Sequence, residues 1–262
     1  MSNQFNKSPS LDTETGNRID GPLAQNEIDA MLVSIIVATF NERDNILGTV
    51  KAVLEHVPAP VEVIVVDDNS PDLTWKIIDD LDDLRVKLVV RKKAKGLASA
   101  VVRGLMESRG KIVGWIDADM ASETEYLPQM IKKLTDQDVV IASRFVEGGL
   151  DDRHPVRVYA SHLVNGFARL FLGYKIMDFD SCVAVMRREV FDEVLPIPFG
   201  FGDFFIEFVY GCCKKGLRVH EHPYTLNTRE GGASKSFPSL GGFLWLGSKY
   251  VFRIIATRFR TD

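Results

Sequence analysis

The 262-residue chain has few of the residues from which metal-bound or disulfide-linked frameworks are built. Its three cysteines, Cys182, Cys212 and Cys213, show no Cys-x-x-Cys spacing, which argues against a zinc ribbon and against a disulfide scaffold. We interpret them as thiols of a protein in a reducing, cytoplasmic compartment. His220 and His222 would share one face of a strand without a third ligand nearby in the sequence, so we interpret both as structural residues.

Other signals are also missing. The formal net charge of −4 does not favour a general nucleic-acid-binding surface. No segment approaches the run of roughly 18 to 20 apolar residues that a membrane-spanning helix needs, so we expect no membrane crossing. Residues 1–30 are rich in Asn, Ser, Asp, Glu and Gln and do not resemble a signal peptide; we predict a disordered tail there. The motifs G-x-G-x-x-G and G-x-x-x-x-G-K-[ST] are absent, which argues against dinucleotide and P-loop sites.

Short apolar runs alternate with segments of helical periodicity from residue 33 onward. The predicted strands are residues 33–38, 61–66, 86–90, 112–116 and 139–142, and the predicted helices between them are 45–55, 73–81, 97–107 and 123–134. Strands that are apolar throughout are typical of parallel sheets covered on both faces, and strand–helix alternation favours right-handed crossovers. We therefore predict one α/β domain with a mostly parallel, Rossmann-like sheet flanked by helices.

The pattern is less regular after residue 144. We predict a flexible loop at 148–152, a helix at 156–172, a strand at 182–186, a helix at 204–213 and a strand at 217–221, followed by a loop at 228–235. This order continues the α/β pattern of the first half. The chain length and a hydrophobic content of 45% suit one sizeable core.

Polar residues follow four of the predicted strands. They are Thr39 to Arg43, Asp67 to Pro71, Asp117-Ala118-Asp119 and Ser143-Arg144. Because ligands of open α/β sheets bind beyond the carboxyl ends of the strands, we expect a composite polar site there. Asp117 and Asp119 suit Mg²⁺ or Mn²⁺ bound to a diphosphate, although an aspartate after a strand is also a common turn or cap residue.

These strand ends resemble those of the GT-A glycosyltransferases of family 2, in particular the dolichol-phosphate mannose synthases and related polyprenyl-phosphate glycosyltransferases. The resemblance extends from Val33 to about Lys235, which we take as the catalytic domain, residues 31–235. The segments that carry it are Ala38-Thr39-Phe40-Asn41-Glu42, Val66 to Pro71, Lys95 to Ala100, Asp117-Ala118-Asp119, Ser143-Arg144-Phe145, and Arg229 with Ser234-Lys235.

The resemblance implies an inverting transfer of a hexose from a nucleotide sugar to a polyprenyl phosphate. GDP-mannose is the expected donor and UDP-glucose the runner-up. The implied nucleotide-sugar site comprises Ala38, Phe40, Asn41, Glu42, Val66, Asp68, Asp117, Ala118, Asp119, Arg144, Arg229 and Lys235. Within this set, Asp117 and Asp119 would hold Mg²⁺ or Mn²⁺, and Asp119 with the cations Arg144, Arg229 and Lys235 would form the catalytic group.

The same resemblance places Arg157, Ser161 and Ser181 beside the acceptor phosphate, the first two after a one-residue adjustment. Because a phosphate monoester has its second pKa near about 6, the acceptor oxygen is anionic at neutral pH and needs no strong general base. The chain departs from the family pattern at Ala121, where glutamine is usual, and at Cys182, where glycine is usual. Both departures leave the sugar and the acceptor open.

Residues 236–262 combine aromatic and aliphatic residues with Lys249, Arg253 and Arg260, which would share one face of a helix. Such a segment suits either a helix in the headgroup layer of an anionic membrane or a terminal helix packed on the domain. A polyprenyl substrate favours the first interpretation. We accordingly expect a peripheral protein on the cytoplasmic face of a membrane, held there by this helix or by membrane-embedded partner subunits, and no nucleic-acid partner.

Two further hypotheses stay open. One is a family 2 transferase that acts on a polysaccharide or a soluble acceptor, although the Gln-x-x-Arg-Trp motif of processive members is absent. The other is a catalytically silent subunit that binds a nucleotide sugar and recruits a partner. The retained acidic pair Asp117 and Asp119 argues against the silent subunit, whereas Ala121 leaves it possible.

Overall fold

The structure is a computed structural model that describes residues 22–58, 60–227 and 240–260, with side chains of the last helix from residue 247. In these residues the strands are β1 Val33–Thr39, β2 Val61–Asp67, β3 Val86–Val90, β4 Ile112–Asp117, β5 Val139–Ser143, β6 Leu150–Asp151, β7 Ala184–Arg187, β8 Val219–Pro223 and β9 Thr225–Leu226. The helices are α1 Gln25–Ala30, α2 Ile46–His56, α3 Thr74–Asp79, α4 Leu97–Glu107, α5 Leu127–Lys133, α6 Pro155–Leu172, α7 Val190–Glu193, α8 Phe204–Lys214 and α9 Leu240–Phe259, with a 3₁₀ turn Ser122–Tyr126 before α5.

A mostly parallel sheet organises the fold, as predicted. Its described strands follow the order β3-β2-β1-β4-β7-β5-β8, and β6 pairs with β9 in a separate small sheet. β1 runs parallel to both β2 and β4, whereas β7 runs antiparallel to β4 and to β5. Two antiparallel steps restore the direction, so β4 and β5 point the same way. The carboxyl ends of β1, β2, β4 and β5 therefore lie on one edge of the sheet.

Both faces of the sheet are covered, which explains why the strands are apolar throughout. Along β1, Ile36 belongs to one buried cluster with residues of α4 and α8, whereas Ile35 and Val37 belong to a second with residues of α2 and α5. Successive side chains of a strand point to opposite faces, so one strand serves both clusters. The two layers hold the strand ends in fixed positions.

The boundaries of several elements differ from the sequence predictions. The predicted helix 123–134 is divided into a 3₁₀ turn and α5, and Pro128 stands in the first turn of α5, where a missing N–H costs nothing. The predicted strand 182–186 begins at Ala184, and the predicted strand 217–221 begins at Val219. The other predicted strands and helices of residues 33–213 are confirmed within two residues at each end.

Part of the predicted tail is helical. Residues 25–30 form α1, Ile28 in this helix is fully buried, and the amide of Leu23 donates to the carbonyl of Thr135 at 2.8 Å. Burial of one large aliphatic side chain is enough to dock a short helix against the domain. The prediction of disorder is wrong for these residues; residues 1–21 lie outside the described chain.

The terminal helix α9 packs on α6 and α8. Ile254 is fully buried, Arg253 pairs with Asp203 at 2.8 Å and with Glu207 at 3.2 Å, and Arg260 pairs with Glu207. The prediction that Arg253 and Arg260 form a basic stripe toward a membrane is therefore wrong, because both guanidinium groups bind carboxylates of α8 and its cap. Among the described residues, none of the helices has the length and hydropathy needed to cross a membrane.

Candidate active site

One large cleft, of about 1580 Å³, opens along the edge where β1, β2, β4 and β5 end. Its walls also include α6 and α9. The predicted site residues that line it are Ala38, Phe40, Asn41, Glu42, Asp68, Asp117, Ala118, Asp119, Arg144, Arg157, Ser161 and Ser181. The structure thus brings together residues that are up to 143 positions apart, from Ala38 to Ser181.

Asp68 marks one end of the cleft. Its carboxylate is nearly buried and accepts hydrogen bonds from Arg91 Nε at 2.6 Å and from the amide of Gly96 at 2.7 Å. Arg91 also donates to the carbonyl of Gly96 and to Ser99 Oγ. The ion pair fixes both the carboxylate and the loop before α4. Sequence reasoning missed Arg91, whose only signal was its place directly after the strand β3.

The loop after β1 is tied to the loop after β2. The amide of Asn41, whose φ is 55°, donates to Ser70 Oγ at 3.0 Å, and the amide of Glu42 donates to Thr74 Oγ1 at 3.0 Å. These bonds hold a turn that projects the partly exposed Phe40 ring into the cleft. Lys95 Nζ lies 5.0 Å from the centroid of that ring, so the loop before α4 also lines the cleft.

Val66 does not belong to the wall of the cleft. Its side chain is fully buried in the core cluster that contains Ile36 and Ala98. The side chain is not part of the cleft lining, because the period-two alternation of β2 turns Val66 toward the helix layer; a contact of Val66 with a nucleotide stays a prediction. Asp68, two residues later, lies beyond the strand and lines the cleft.

Asp117 and Asp119 stand at the end of β4, both partly exposed and both in the cleft wall. The segment between them is anchored, since Thr49 Oγ1 donates to the carbonyl of Ala118 at 2.7 Å. Two carboxylates of this kind fit Mg²⁺ or Mn²⁺, which take one or two protein carboxylates and complete their shells with water and phosphate oxygens. The described residues contain no group of three or more acidic, His or Cys side chains placed to hold a metal by themselves.

Glu123 lines the cleft four residues after Asp119, and sequence reasoning missed it. Its carboxylate accepts from the amide of Asn227 at 3.0 Å and from Ser122 Oγ at 3.0 Å. Glu123 thus ties Asn227, the residue directly after β9, to the 3₁₀ turn before α5. Ala121, one of the departures from the family pattern, is the N-cap residue of the 3₁₀ turn. Its side chain offers no ligand oxygen.

Arg144 is nearly buried and forms a two-bonded ion pair with Asp178. Its Nε and Nη2 lie 2.8 and 2.7 Å from the two carboxylate oxygens, and Nη2 also reaches the carbonyl of Asp180 at 3.1 Å. Burial alone would lower the pKa of Arg144, but the Asp178 charge outweighs it and raises the pKa well above its ordinary value. The guanidinium therefore stays charged in the cleft wall. Its Nη1 atom lies 3.5 Å from Asp151, farther than the two nitrogens that bind Asp178 lie from their partner.

The acceptor-side residues meet on α6 and the segment before β7. Ser161 Oγ accepts from Arg153 Nη2 at 3.1 Å and donates to Asp180 Oδ2 at 3.3 Å. Arg153 is itself paired with Asp151 at 2.6 Å. Arg153 and Asp180 also line the cleft. Neither was predicted, because both lie in irregular segments, which give no periodic signal.

The backbone conformation at Cys182 explains why glycine is usual at this position in the family. Its φ is 60°, in the left-handed region that glycine adopts at no steric cost. Its thiol lies 3.7 Å from the carbonyl of Gly202. Burial, followed by the charges of Asp117 and Asp180, raises the pKa of Cys182 well above its ordinary value, so the thiol stays protonated. The remaining predicted site residues, Arg229 and Lys235, lie outside the described residues.

Comparison with known families identifies the chain. The sequence model of the family described as glycosyl transferase family 2 matches residues 34–195. The chain belongs to this family. As a family 2 glycosyltransferase it has a GT-A-like fold, shared with the glucosyl-3-phosphoglycerate synthase of Mycobacterium tuberculosis in complex with Mn²⁺, uridine diphosphate and glucosyl-3-phosphoglycerate. That comparison has a TM-score of 0.69 at 18% identity and covers 91% of this chain and 85% of the other.

Three proteins with related names are similar in sequence to this family 2 glycosyltransferase. The dolichol-phosphate mannosyltransferase of Pyrococcus furiosus is 34% identical over 216 residues, covering 78% of this chain and 59% of the relative. The chain thus spans less than two thirds of that protein's length. The polyprenol monophosphomannose synthase of Mycolicibacterium smegmatis is 31% identical over 211 residues, covering 77% of this chain and 79% of the relative. The undecaprenyl-phosphate mannosyltransferase of Micrococcus luteus is 29% identical over 216 residues, covering 78% and 87%.

Proposed function

We propose that this glycosyltransferase transfers a hexose, with mannose from GDP-mannose preferred, to a polyprenyl phosphate with inversion at the anomeric carbon. One observation carries the proposal: one cleft is lined by carboxylates, by cations and by apolar side chains. Asp68 is among the carboxylates, Arg157 among the cations, and Leu163, Phe167 and Val251 among the apolar residues. The names of the three curated relatives support the same acceptor class.

The donor half binds the nucleotide and its diphosphate. Asp68, held by Arg91, offers acceptor oxygens for base or ribose donors, and Phe40 offers an aromatic face beside them. Asp117 and Asp119 hold Mg²⁺ or Mn²⁺, which neutralises the diphosphate leaving group. Arg144, and outside the described residues Arg229 and Lys235, add fixed positive charge near the leaving phosphate.

The acceptor half positions a phosphate monoester. Arg157 and Arg153 supply cations, and Ser161 and Ser181 supply hydroxyl donors, in the same cleft as the acidic pair. Because the acceptor oxygen is already anionic at neutral pH, the protein has to align two negatively charged groups about one sugar carbon. Alignment by fixed cations meets this need without a general base.

The apolar end of the cleft favours a peripheral position on a membrane, which we place at the cytoplasmic face. Leu163 on α6, Phe201 before α8 and Val251 on α9 are exposed large apolar residues at the cleft mouth. Phe252, Ile255 and Phe259 continue an exposed apolar face along α9. Such a surface suits insertion into the headgroup layer, alone or beside membrane-embedded partner subunits.

The test is an assay of purified protein with Mn²⁺, a panel of nucleotide sugars and a short-chain polyprenyl phosphate. We expect a mannosyl polyprenyl phosphate with GDP-mannose. Product from UDP-glucose would replace the donor, and product with a soluble sugar acceptor alone would replace the acceptor. Binding of a nucleotide sugar without product from any pair would indicate a silent subunit and contradict the enzymatic proposal.

A further inference from the structure

Asp180 is a carboxyl group in the cleft that the proposed transfer does not use. It precedes Ser181 and Cys182, lines the cleft with them, and its side chain is 18% exposed. The acceptor phosphate is already anionic and needs no proton acceptor, and a carboxylate beside a phosphate repels it. In its ionised form the group only accepts hydrogen bonds, so a ligand that binds it has to bring a donor.

The carboxylate is held from three elements. Ser161 Oγ of α6 donates to Oδ2 at 3.3 Å, and Arg144 Nη2 after β5 lies 3.6 Å from the same oxygen. The hydroxyl of Tyr250, on α9, forms a hydrogen bond with the carboxyl. Burial, the largest influence, raises the pKa of Asp180, while the charges of Arg144 and Arg153 act in the opposite direction. These contacts fix the orientation of the group before any ligand arrives.

The contact with Tyr250 depends on a glycine. A Cβ at Gly202 would lie 2.5 Å from the Tyr250 hydroxyl oxygen and 3.2 Å from Cys182 Sγ. Both distances are shorter than a normal van der Waals contact, so a side chain at position 202 would displace the hydroxyl or the thiol. Gly202 thus lets α9 approach the cleft closely enough for its tyrosine to reach Asp180.

Asp180 and the acidic pair at the end of β4 line the same cleft. Cys182 lines it as well, and the charges of both Asp117 and Asp180 act on its thiol. In a nucleotide sugar the hexose is bonded directly to the diphosphate. A diphosphate held at Asp117 and Asp119 therefore places its hexose in this cleft, where Asp180 is part of the lining.

We propose, on the basis of the proposed function, that Asp180 binds hydroxyl groups of the donor hexose and determines which hexose is accepted, with Tyr250 as its positioning residue. A sugar is rich in neutral O–H donors, and the two carboxylate oxygens accept from adjacent hydroxyls. A site built to bind a hydroxyl strongly rejects the analogue that lacks it, because its own buried polar group is then left without a partner.

The experiment is a binding cycle in the absence of acceptor. Titration calorimetry with Mn²⁺ measures Kd for the nucleoside diphosphate, for the nucleotide sugar and for its monodeoxy analogues, using wild type, Asp180→Asn and Tyr250→Phe. We expect Asp180→Asn to weaken binding of the nucleotide sugar by about tenfold to a hundredfold and that of the diphosphate by less than about twofold. In wild type, one monodeoxy analogue should bind more weakly than the nucleotide sugar; in Asp180→Asn, the two Kd values should be equal. Tyr250→Phe should act in the same direction with a smaller change.

Matched controls are Asp29→Asn on α1 and Tyr159→Phe on the exposed side of α6, which should leave every Kd unchanged. Equal weakening for the diphosphate and the nucleotide sugar, or deoxy penalties that are the same in wild type and Asp180→Asn, would overturn the inference. If thermal melting shows that Asp180→Asn is not folded, the same binding measurements are made with Tyr250→Phe and Gly202→Ala.

The outcomes separate this inference from the proposed function. Wild-type protein that discriminates deoxy analogues in the cycle but transfers no sugar to a polyprenyl phosphate would contradict the proposed function alone. Wild-type protein that transfers sugar, with a cycle that shows no coupling to Asp180, would contradict the inference alone. Wild-type protein that binds no nucleotide sugar would overturn both.

Discussion

Arg91 and Asp68 form a buried ion pair beside the cleft, with Arg91 Nε 2.6 Å from Asp68 Oδ1. The remaining donors of the guanidinium bind Ser99 and the carbonyl of Gly96, while the amide of Gly96 returns to Asp68 Oδ2. A closed set of bonds therefore links the end of β2, the end of β3 and the start of α4. Its planar, forked donor pattern suits arginine and not lysine.

Replacement of Arg91 should weaken nucleotide binding, because Arg91 fixes the carboxylate of Asp68. In Arg91→Lys the single ammonium cannot bind Asp68, Ser99 and Gly96 together, so we expect Kd for the nucleoside diphosphate to rise by about tenfold. In Arg91→Met the uncompensated buried carboxylate should lower the free energy of unfolding by about 3 kcal/mol. Titration calorimetry and urea unfolding measure the two effects.

The control is Arg103→Lys, since Arg103 forms an exposed ion pair with Glu107 one turn away on α4. Exposed pairs of this kind contribute less than about 1 kcal/mol, so both quantities should stay near their wild-type values. Unchanged nucleotide affinity in a folded Arg91→Lys protein would show that Asp68 does not depend on its arginine.

Asp119→Ala should abolish turnover while leaving the fold intact. The side chain is partly exposed at a strand end, so its removal costs little packing, whereas loss of a metal ligand removes charge stabilisation of the leaving diphosphate. We expect kcat to fall by at least about a hundredfold, with a melting temperature close to that of wild type. Glu125→Gln, an exposed acidic position in the following 3₁₀ turn, is the matched control. Retained activity in Asp119→Ala would contradict the metal role.

Stability should fall at acid pH through Asp138, which links the starts of β5 and β8. Burial would raise the pKa of Asp138, but hydrogen bonds from the Arg218 side chain and amide outweigh it and lower the pKa. Such a carboxylate stabilises the folded state above its unfolded pKa of about 3.9, and this contribution is lost as the pH falls through the folded pKa.

The measurement is urea unfolding of wild type and Asp138→Asn between pH 7 and pH 3. Asp138→Asn should be the less stable protein at pH 7, by about 1 to 3 kcal/mol, and the difference should shrink toward pH 3. A difference that is constant over this range would mean that the ionised form of Asp138 contributes nothing.

The exposed apolar face of α9 should bind lipid surfaces. Phe252 and Phe259 are each 73% exposed, and transfer of such side chains out of water is worth up to about 2 kcal/mol apiece. We expect the double variant Phe252→Ser, Phe259→Ser to lower the vesicle partition coefficient by at least about tenfold, measured by co-sedimentation. Leu84→Ser removes an apolar side chain that is fully exposed between α3 and β3, away from the cleft, and should have no effect. Equal partition of all three proteins would refute the membrane surface.

The parts of the molecule that the sequence predicts well are those with local signals. The all-apolar strands and the helical periodicity between them depend on neighbouring residues, and β1 to β5 with α2 to α4 appear where these patterns predict them. The polar residues directly after each strand follow from the same patterns, because parallel strands bring their carboxyl ends to one edge. Hence Asp68, Asp117 and Asp119 were all placed correctly in the cleft.

Long-range pairings escaped prediction. Arg144 was expected to bind phosphate together with Arg229 and Lys235. Its ion pair with Asp178, which lies 34 residues later in sequence, was not predicted because no periodic pattern connects the two. Arg91, Arg153 and Asp180 were missed for the same reason. The two basic residues Arg253 and Arg260 were assigned to a membrane surface because a helical pattern shows which residues share a face, not what lies opposite that face.

The place of β7 has a consequence for biosynthesis. Residues 184–187 supply the strand that separates β4 from β5, and they are translated after both. A nascent polypeptide that has not yet reached residue 184 thus lacks the central partner of two finished strands. The part of the sheet formed by β1 to β4 is able to assemble on the ribosome, but the pairing of β7 with β4 and β5 has to wait. Stalled or prematurely terminated products should therefore expose the unpaired edges of β4 and β5 and be substrates for chaperones.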